Sequence, residues 1–156
     1  MRWITWTAVA WIVVGSMAVG QAAPLPDGGV TSAEVAAILQ RAGYKAEITK
    51  DQYGDPLVRS ASSGVNFSVY FYTCQKTPRC TSIQFYAGFQ KPGISDNRVA
   101  EWNRTTRFGK AYLDKDGDPR LEMDMDVQHG ATTEAIANDL DRWVAVLAAF
   151  TKNIGW

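Results

Sequence analysis

Catalysis through a Ser–His or Cys–His pair needs an imidazole, and His129 is the single histidine of the chain. It sits in Gln128-His129-Gly130, between an expected strand and an expected helix, where a histidine is ordinarily a solvated turn residue. Cys74 and Cys80 are the two cysteines. Paired with each other they supply no thiolate nucleophile, and Cys-x5-Cys without a second ligand cluster does not make a zinc site. Asp114-x-Asp116-x-Asp118 opens like a calcium loop, but Pro119 and Met125 stand where an EF-hand needs glycine and a bidentate glutamate. Glu122, Asp124 and Asp126 form a row along one strand, whereas paired catalytic acids face each other across a cleft. The row reads as a wet sheet face or a guard against edge pairing. Asn66-Phe-Ser68 and Asn103-Arg-Thr105 match glycosylation sequons, a pattern short enough to arise often by chance. The chain is therefore expected to be no enzyme, with no catalytic residues, no metal site and no cofactor.

Recognition is the chemistry the residues do offer. If Cys74 faces Cys80 in a hairpin, antiparallel partners have numbers of constant sum. That sets Phe71 against Ile83, Val69 against Phe85 and Phe67 against Ala87 on one face. The other face carries Tyr72 with Ser82, Tyr70 with Gln84 and Ser68 with Tyr86. A slip of one residue would mix the two sets. Tyrosine among small polar residues is the composition of contact surfaces, combining apolar area with a hydrogen-bonding tip. The candidate partner contacts are Tyr70, Tyr72, Gln84 and Tyr86. Trp102, Arg104 and Arg107 on the second helix are possible additions, although Trp102 suits a core better than a contact.

Around that hairpin the elements follow from local signals. Residues 1–22 read as a signal peptide: Met1-Arg2, an apolar run from Trp3 to Val19, then the small-residue tail Gly20-Gln-Ala-Ala23, with cleavage preferred after Ala22. The alternative is an uncleaved anchor in the inner membrane, facing the periplasm. Only in that case is membrane contact expected. Residues 23–30 read as a flexible lead-in, and residues 31–156 as one domain. Sixteen basic and sixteen acidic side chains leave no net charge, which argues against a nucleic-acid partner. Export to a periplasmic or secreted location favours a Cys74–Cys80 disulfide.

Thr31-Ser-Ala-Glu34 is a capping box, with Val30 and Val35 at the staple positions and Gly43 as the stop of a first helix. Strands are expected over 45–50 and 57–61, with a small polar break over 60–64 before the disulfide hairpin at 66–89. Ser95 or Asp96 caps a second helix to about residue 107. A shorter hairpin over 110–114 and 120–127 alternates Leu121, Met123, Met125 and Val127 with acids. Thr132 or Thr133 starts a last helix, with Ile136, Leu140, Trp143, Leu147 and Phe150 as its apolar stripe. The order α-β-β-β-β-α-β-β-α makes an α+β fold, an antiparallel sheet with helices on one face. Lys45-Ala-x-x-x-Lys50-Asp51 leading to Gly54-Asp-Pro56 is echoed by Lys110-Ala-x-x-x-Lys115-Asp116 leading to Gly117-Asp-Pro119, an echo that turn chemistry alone explains.

The stretch Trp102-Asn-Arg-x-x-Arg-Phe-Gly-Lys-Ala-Tyr-Leu-Asp-x-Asp-Gly-Asp-Pro-x-Leu-Glu-Met-Asp124 resembles the YbjN family of bacterial sensory transduction regulators. Gly54-Asp-Pro56, Asn66-Phe-Ser-Val-Tyr-Phe71 and the closing Phe150-x-x-x-Ile-Gly-Trp156 are also similar to that family. The resemblance implies a type III secretion chaperone-like fold, a homodimer, and the holding of extended partner segments. The leader and the cysteine pair depart from the family's pattern. Together these readings give an exported, non-enzymatic binding or chaperone-like protein, regulatory in role, that engages a polypeptide by β-addition at a sheet edge or on the tyrosine face. Two alternatives stand beside it. One is a sensor module that binds a small molecule between helices and sheet. The other is an inhibitor that presents the loop Gln75-Lys-Thr-Pro-Arg79 to another enzyme.

Overall fold

A computed structural model describes residues 24–26, 28–74 and 78–156. The expected leader lies outside the described residues, as do Ala23 and Asp27 of the lead-in and 75–77 of the hairpin tip. The elements are α1 (Ser32–Arg41), β1 (Glu47–Lys50), β2 (Pro56–Ser62), β3 (Val65–Cys74), β4 (Cys80–Gly88), α2 (Asp96–Thr105), β5 (Lys110–Leu113), β6 (Pro119–Asp126) and α3 (Thr133–Ile154). Among the described residues six strands form one antiparallel sheet in the order β1-β2-β3-β4-β6-β5. The α+β class and the chain order are those expected from the sequence.

The β3–β4 hairpin has the register that the cysteines imply, from Ser68 opposite Tyr86 to Cys74 opposite Cys80, and the two sulfurs are bonded. Phe67, Val69, Phe71, Ile83, Phe85 and Ala87 are all buried, as one face of such a pairing should be. The break expected over 60–64 is shorter than that. β2 runs on to Ser62, and Ser63-Gly64 alone make the turn, with φ of 50° and 81°. Two left-handed residues in succession match the right-handed twist of the strands they join. Ser60 belongs to the strand, on its core side, and is only 7% exposed.

The helices cover that buried face. In α1 the capping box forms: Glu34 N–H donates to Thr31 Oγ1 at 3.2 Å, and Thr31 N–H donates to Glu34 Oε2 at 2.8 Å. Val30 and Val35 bury beside it. Gly43 N–H bonds Gln40 O, and Tyr44 N–H bonds Leu39 O, both at 3.0 Å, which closes the helix in a Schellman turn. α3 buries the whole expected stripe together with Val146 and Ile154. Trp143 lies at the centre, with its ring 5.7 Å from Phe85 and 6.0 Å from Phe67. α2 ends at Thr105, two residues short of expectation. There Thr106 turns to an extended conformation, and its N–H closes the last turn on Trp102 O.

The described residues of the lead-in are tied to the domain at three points. Leu25 N–H bonds Ala131 O at 3.0 Å, Gly28 N–H bonds Gln128 O at 3.3 Å, and Val30 exchanges bonds of 2.9 and 2.8 Å with Cys80. These bonds satisfy backbone groups of the segment and hold it against the domain. Arg79 reinforces it, donating to Gly29 O (2.6 Å from Nη2) and pairing with Glu34. Arg79 is thus a strut inside the molecule, not the projecting contact that an inhibitory loop would require. Burial pushes the Glu34 carboxyl up, but the Thr31 bonds and Arg79 outweigh it and hold the pKa below the ordinary value.

The internal echo resolves into one repeated turn, Asp-x-x-Gly-Asp-Pro, in which the equivalent acids are Asp51 and Asp114. Asp51 Oδ1 accepts from Tyr53 N–H (2.8 Å) and Asp55 N–H (3.0 Å). Asp114 Oδ1 accepts from Asp116 and Asp118 N–H, both at 2.9 Å. This also assigns the acids of the calcium-like run: Asp114 caps the turn and pairs with Arg120, while Asp118 accepts Lys91 N–H at 2.8 Å. The Asp118 backbone bond holds the Asp114 carboxyl below its ordinary pKa; desolvation opposes this, and Asp116 and Arg120 add to it. A pKa depressed by folding contributes stability above the unfolded value of 3.8 and loses it as pH falls through the folded value. Asp114→Asn should therefore destabilise the fold at neutral pH and flatten the acid limb of stability. Denaturant melts between neutral pH and about pH 2 check this, since acid denaturation is carried by such carboxylates.

Candidate functional site

The face of the sheet turned away from the helices collects the expected contact residues. Strand alternation places Ser68, Tyr70 and Tyr72 of β3 beside Ser82, Gln84 and Tyr86 of β4. β6 adds Glu122, Asp124 and Asp126 through the pairs Tyr86–Glu122, Gln84–Asp124 and Ser82–Asp126. The Tyr70 ring meets Tyr86 edge-on at 5.5 Å and stacks beside Tyr72 at 6.5 Å. A polar chain crosses next to the rings: Tyr72 O–H donates to Gln84 Oε1 at 3.2 Å, and Gln84 Nε2 donates to Asp124 Oδ1 at 2.9 Å. Gly88 carries no side chain, so Arg120 can lie across it. A Cβ there would come within 3.0 Å of Arg120 Nη1 and 3.2 Å of Tyr86 Oη.

Three members of this face are not in the expected set. Tyr112 of β5 donates its O–H to Glu122 Oε1 at 2.6 Å. Leu57 and Arg59 of β2 stand opposite Tyr70 and Ser68. Leu57 is buried although it lies on the outer side, and Arg59 is exposed. The two-residue turn at Ser63-Gly64 held the signal, since it fixes the β2–β3 register as the cysteines fix that of β3–β4. Two hollows flank the rings. One of about 520 Å³ lies among Tyr53, Leu57, Arg59, Tyr70 and Tyr72, and one of about 320 Å³ lies among Ser68, Tyr86, Gly88 and Arg120.

Burial, above all, raises the Tyr72 pKa, with Glu122, Tyr70, Asp124 and Asp51 adding to it. Burial also raises Tyr86 against the opposing pull of Arg120, and raises Tyr112 together with the Glu122 bond. These three hydroxyls therefore remain donors well above neutral pH. The face offers rings, donors and an acidic border, but no nucleophile set beside a base.

A family model, YbjN, described as "Putative bacterial sensory transduction regulator", matches residues 31–156. The chain belongs to the YbjN family. No curated protein matches it. Among solved structures, this YbjN chain is similar to the Yersinia pestis type III secretion chaperone SycH, crystallised in complex with a stable fragment of YscM2. Identity is 13%, with a TM-score of 0.48, over 75% of this chain and 97% of that one.

The helix-two residues do not join the tyrosine face. In this YbjN domain Trp102 is 5% exposed, its Nε1–H donates to Gly109 O at 2.8 Å, and its ring meets Phe150 at 5.0 Å. It is a core residue, because burying an indole with its N–H satisfied is the stable use of tryptophan. Arg104 is exposed on α2 and pairs with Glu101 one turn away. Arg107 lies beyond the helix, against the Phe108 ring at 5.2 Å. His129 is exposed in its turn. Among the described residues no helix is long and apolar enough to cross a membrane.

Proposed function

We propose that this YbjN protein is a non-enzymatic binding protein of an exported compartment that holds an extended polypeptide segment across the outer face of its sheet, as a homodimer. The observation that carries this reading is the ring cluster Tyr70–Tyr72–Tyr86 with Gln84 beside it, flanked by hollows on both sides. Tyrosines give contact area at small entropic cost, and their hydroxyls and Gln84 can pair with peptide groups. Membership of a regulator family fits a protein that works by binding rather than by turnover. The disulfide fits an oxidising compartment.

Tyr70→Ser combined with Tyr86→Ser tests the reading. Both side chains are only partly buried and lie outside the core cluster, so the melting temperature should stay within a few degrees of the parent. Capture of a polypeptide from envelope extract should fall at least about tenfold, the loss expected for two aromatic anchors. Sedimentation of both forms reads the dimer. Unchanged capture with unchanged sedimentation would sink the proposal.

A further inference from the structure

A third groove, of about 770 Å³, opens where β1 stops short of the end of β2. β1 pairs with β2 only as far as Glu47 opposite Arg59, so 60–62 of β2 have a strand on the β3 side alone. The chain leaves the sheet at Lys45 and Ala46, coming from the turn that ends α1, and the groove occupies the gap. Because it wraps a strand edge, it is bordered from both sheet faces, by Arg59 on one and by Ser60 and Phe67 on the other.

Its polar groups are unspent. The Ser60 Oγ is buried without a hydrogen-bond partner among the described residues, a costly state that a ligand oxygen would relieve. Glu47 and Arg59 face each other across the β1–β2 pair, yet neither forms an ion pair among the described residues, nor does Lys45. Opposite charges that close on each other would leave nothing for a guest; here they stand apart at the rim of a cavity of ligand size.

We propose that this groove binds a free α-amino acid. The ligand carboxylate meets Lys45 and the Ser60 hydroxyl at the strand edge, its ammonium meets Glu47, and its side chain lies toward Phe67 and Ala46, with Arg59 bordering the rim from the other sheet face. A zwitterion uses both signs of charge at once, which a simple anion or cation does not. The site goes beyond polypeptide capture on the tyrosine face. The groove shares Arg59, Asn66, Phe67 and Ser68 with the hollows beside the tyrosine rings, so the test relies on Ser60 and Glu47, which line this groove alone.

Calorimetric titration of the protein with each of the common amino acids, and with N-acetyl amino-acid amides as uncharged counterparts, decides the matter. At least one free amino acid should bind, and its blocked form should bind at least about tenfold more weakly, the loss expected on removing charge-assisted bonds. Ser60→Ala and Glu47→Gln should each weaken binding by about tenfold. Ser60→Ala should melt at the same or a higher temperature, because it also deletes an orphaned hydroxyl. Tyr70→Ser with Tyr86→Ser should leave the affinity unchanged, which separates this site from the tyrosine face. Absence of binding by every amino acid at concentrations up to about 10 mM overturns the proposal. So does equal binding of the blocked forms, or undiminished binding by Ser60→Ala and Glu47→Gln.

Discussion

Trp143→Ala is expected to cost about 3–5 kcal/mol, a large share of the stability of a domain this size. The side chain is fully buried on α3 and packs against rings from two different strands, Phe85 of β4 and Phe67 of β3. Truncation leaves a cavity at the point where helix and sheet meet, and aromatic neighbours cannot collapse into it without leaving their rotamers. Trp143→Phe separates ring packing from the polar atom. The Trp143 Nε1 is buried without a partner among the described residues, so phenylalanine removes an unsatisfied donor while keeping most of the contact. Urea unfolding should rank the parent above Trp143→Phe by a small margin and far above Trp143→Ala. Near-equal midpoints for Trp143→Ala and the parent would contradict this account of the core.

Removing the disulfide with Cys74→Ser and Cys80→Ser is the second large effect, about 2 kcal/mol from the entropy of so short a closed loop. The consequence reaches beyond the loop. Cys80 is the residue whose backbone pairs with Val30, and Arg79 beside it grips Gly29 and Glu34. A loosened tip should therefore release the lead-in and the start of α1 together. Amide exchange reads this directly. The Val30 and Cys80 amides should lose protection by a larger factor than those of β2 or β6, which take no bonds from the tip. Uniform loss of protection across the sheet would mean that the bridge stabilises the fold only globally.

Much of the fold was legible because several signals were redundant. The cysteine spacing, the apolar alternation and the tyrosine alternation all demanded one register for β3 and β4, and that register formed. The capping box and Schellman glycine bounded α1 in the same way. The ties of the lead-in are not legible locally, because Pro, Asp and Gly advertise a turn while its bonding partners Cys80, Gln128 and Ala131 lie far off in sequence. The break before β3 was overextended because serines that end a strand look like serines in a loop. Only the positive φ at Ser63 and Gly64 marks where the chain reverses. The tyrosine cluster was visible as a face of one hairpin. Its extension to Leu57, Arg59 and Tyr112 was not, because it needs the order of strands across the whole sheet.

Gly29 has φ of +100° and lies so close to the hairpin that an added Cβ would sit 2.0 Å from the Cys80 carbonyl oxygen. The family match begins two residues later, at Thr31. A recombinant fragment cut to that boundary would lose Val30, the bridge partner of Cys80, and uncover the site it fills, although every matched residue would be present. The physical unit therefore starts ahead of its statistical one. Tags and cleavage sites belong upstream of Pro24, where they leave the stitch between the first segment and the hairpin intact.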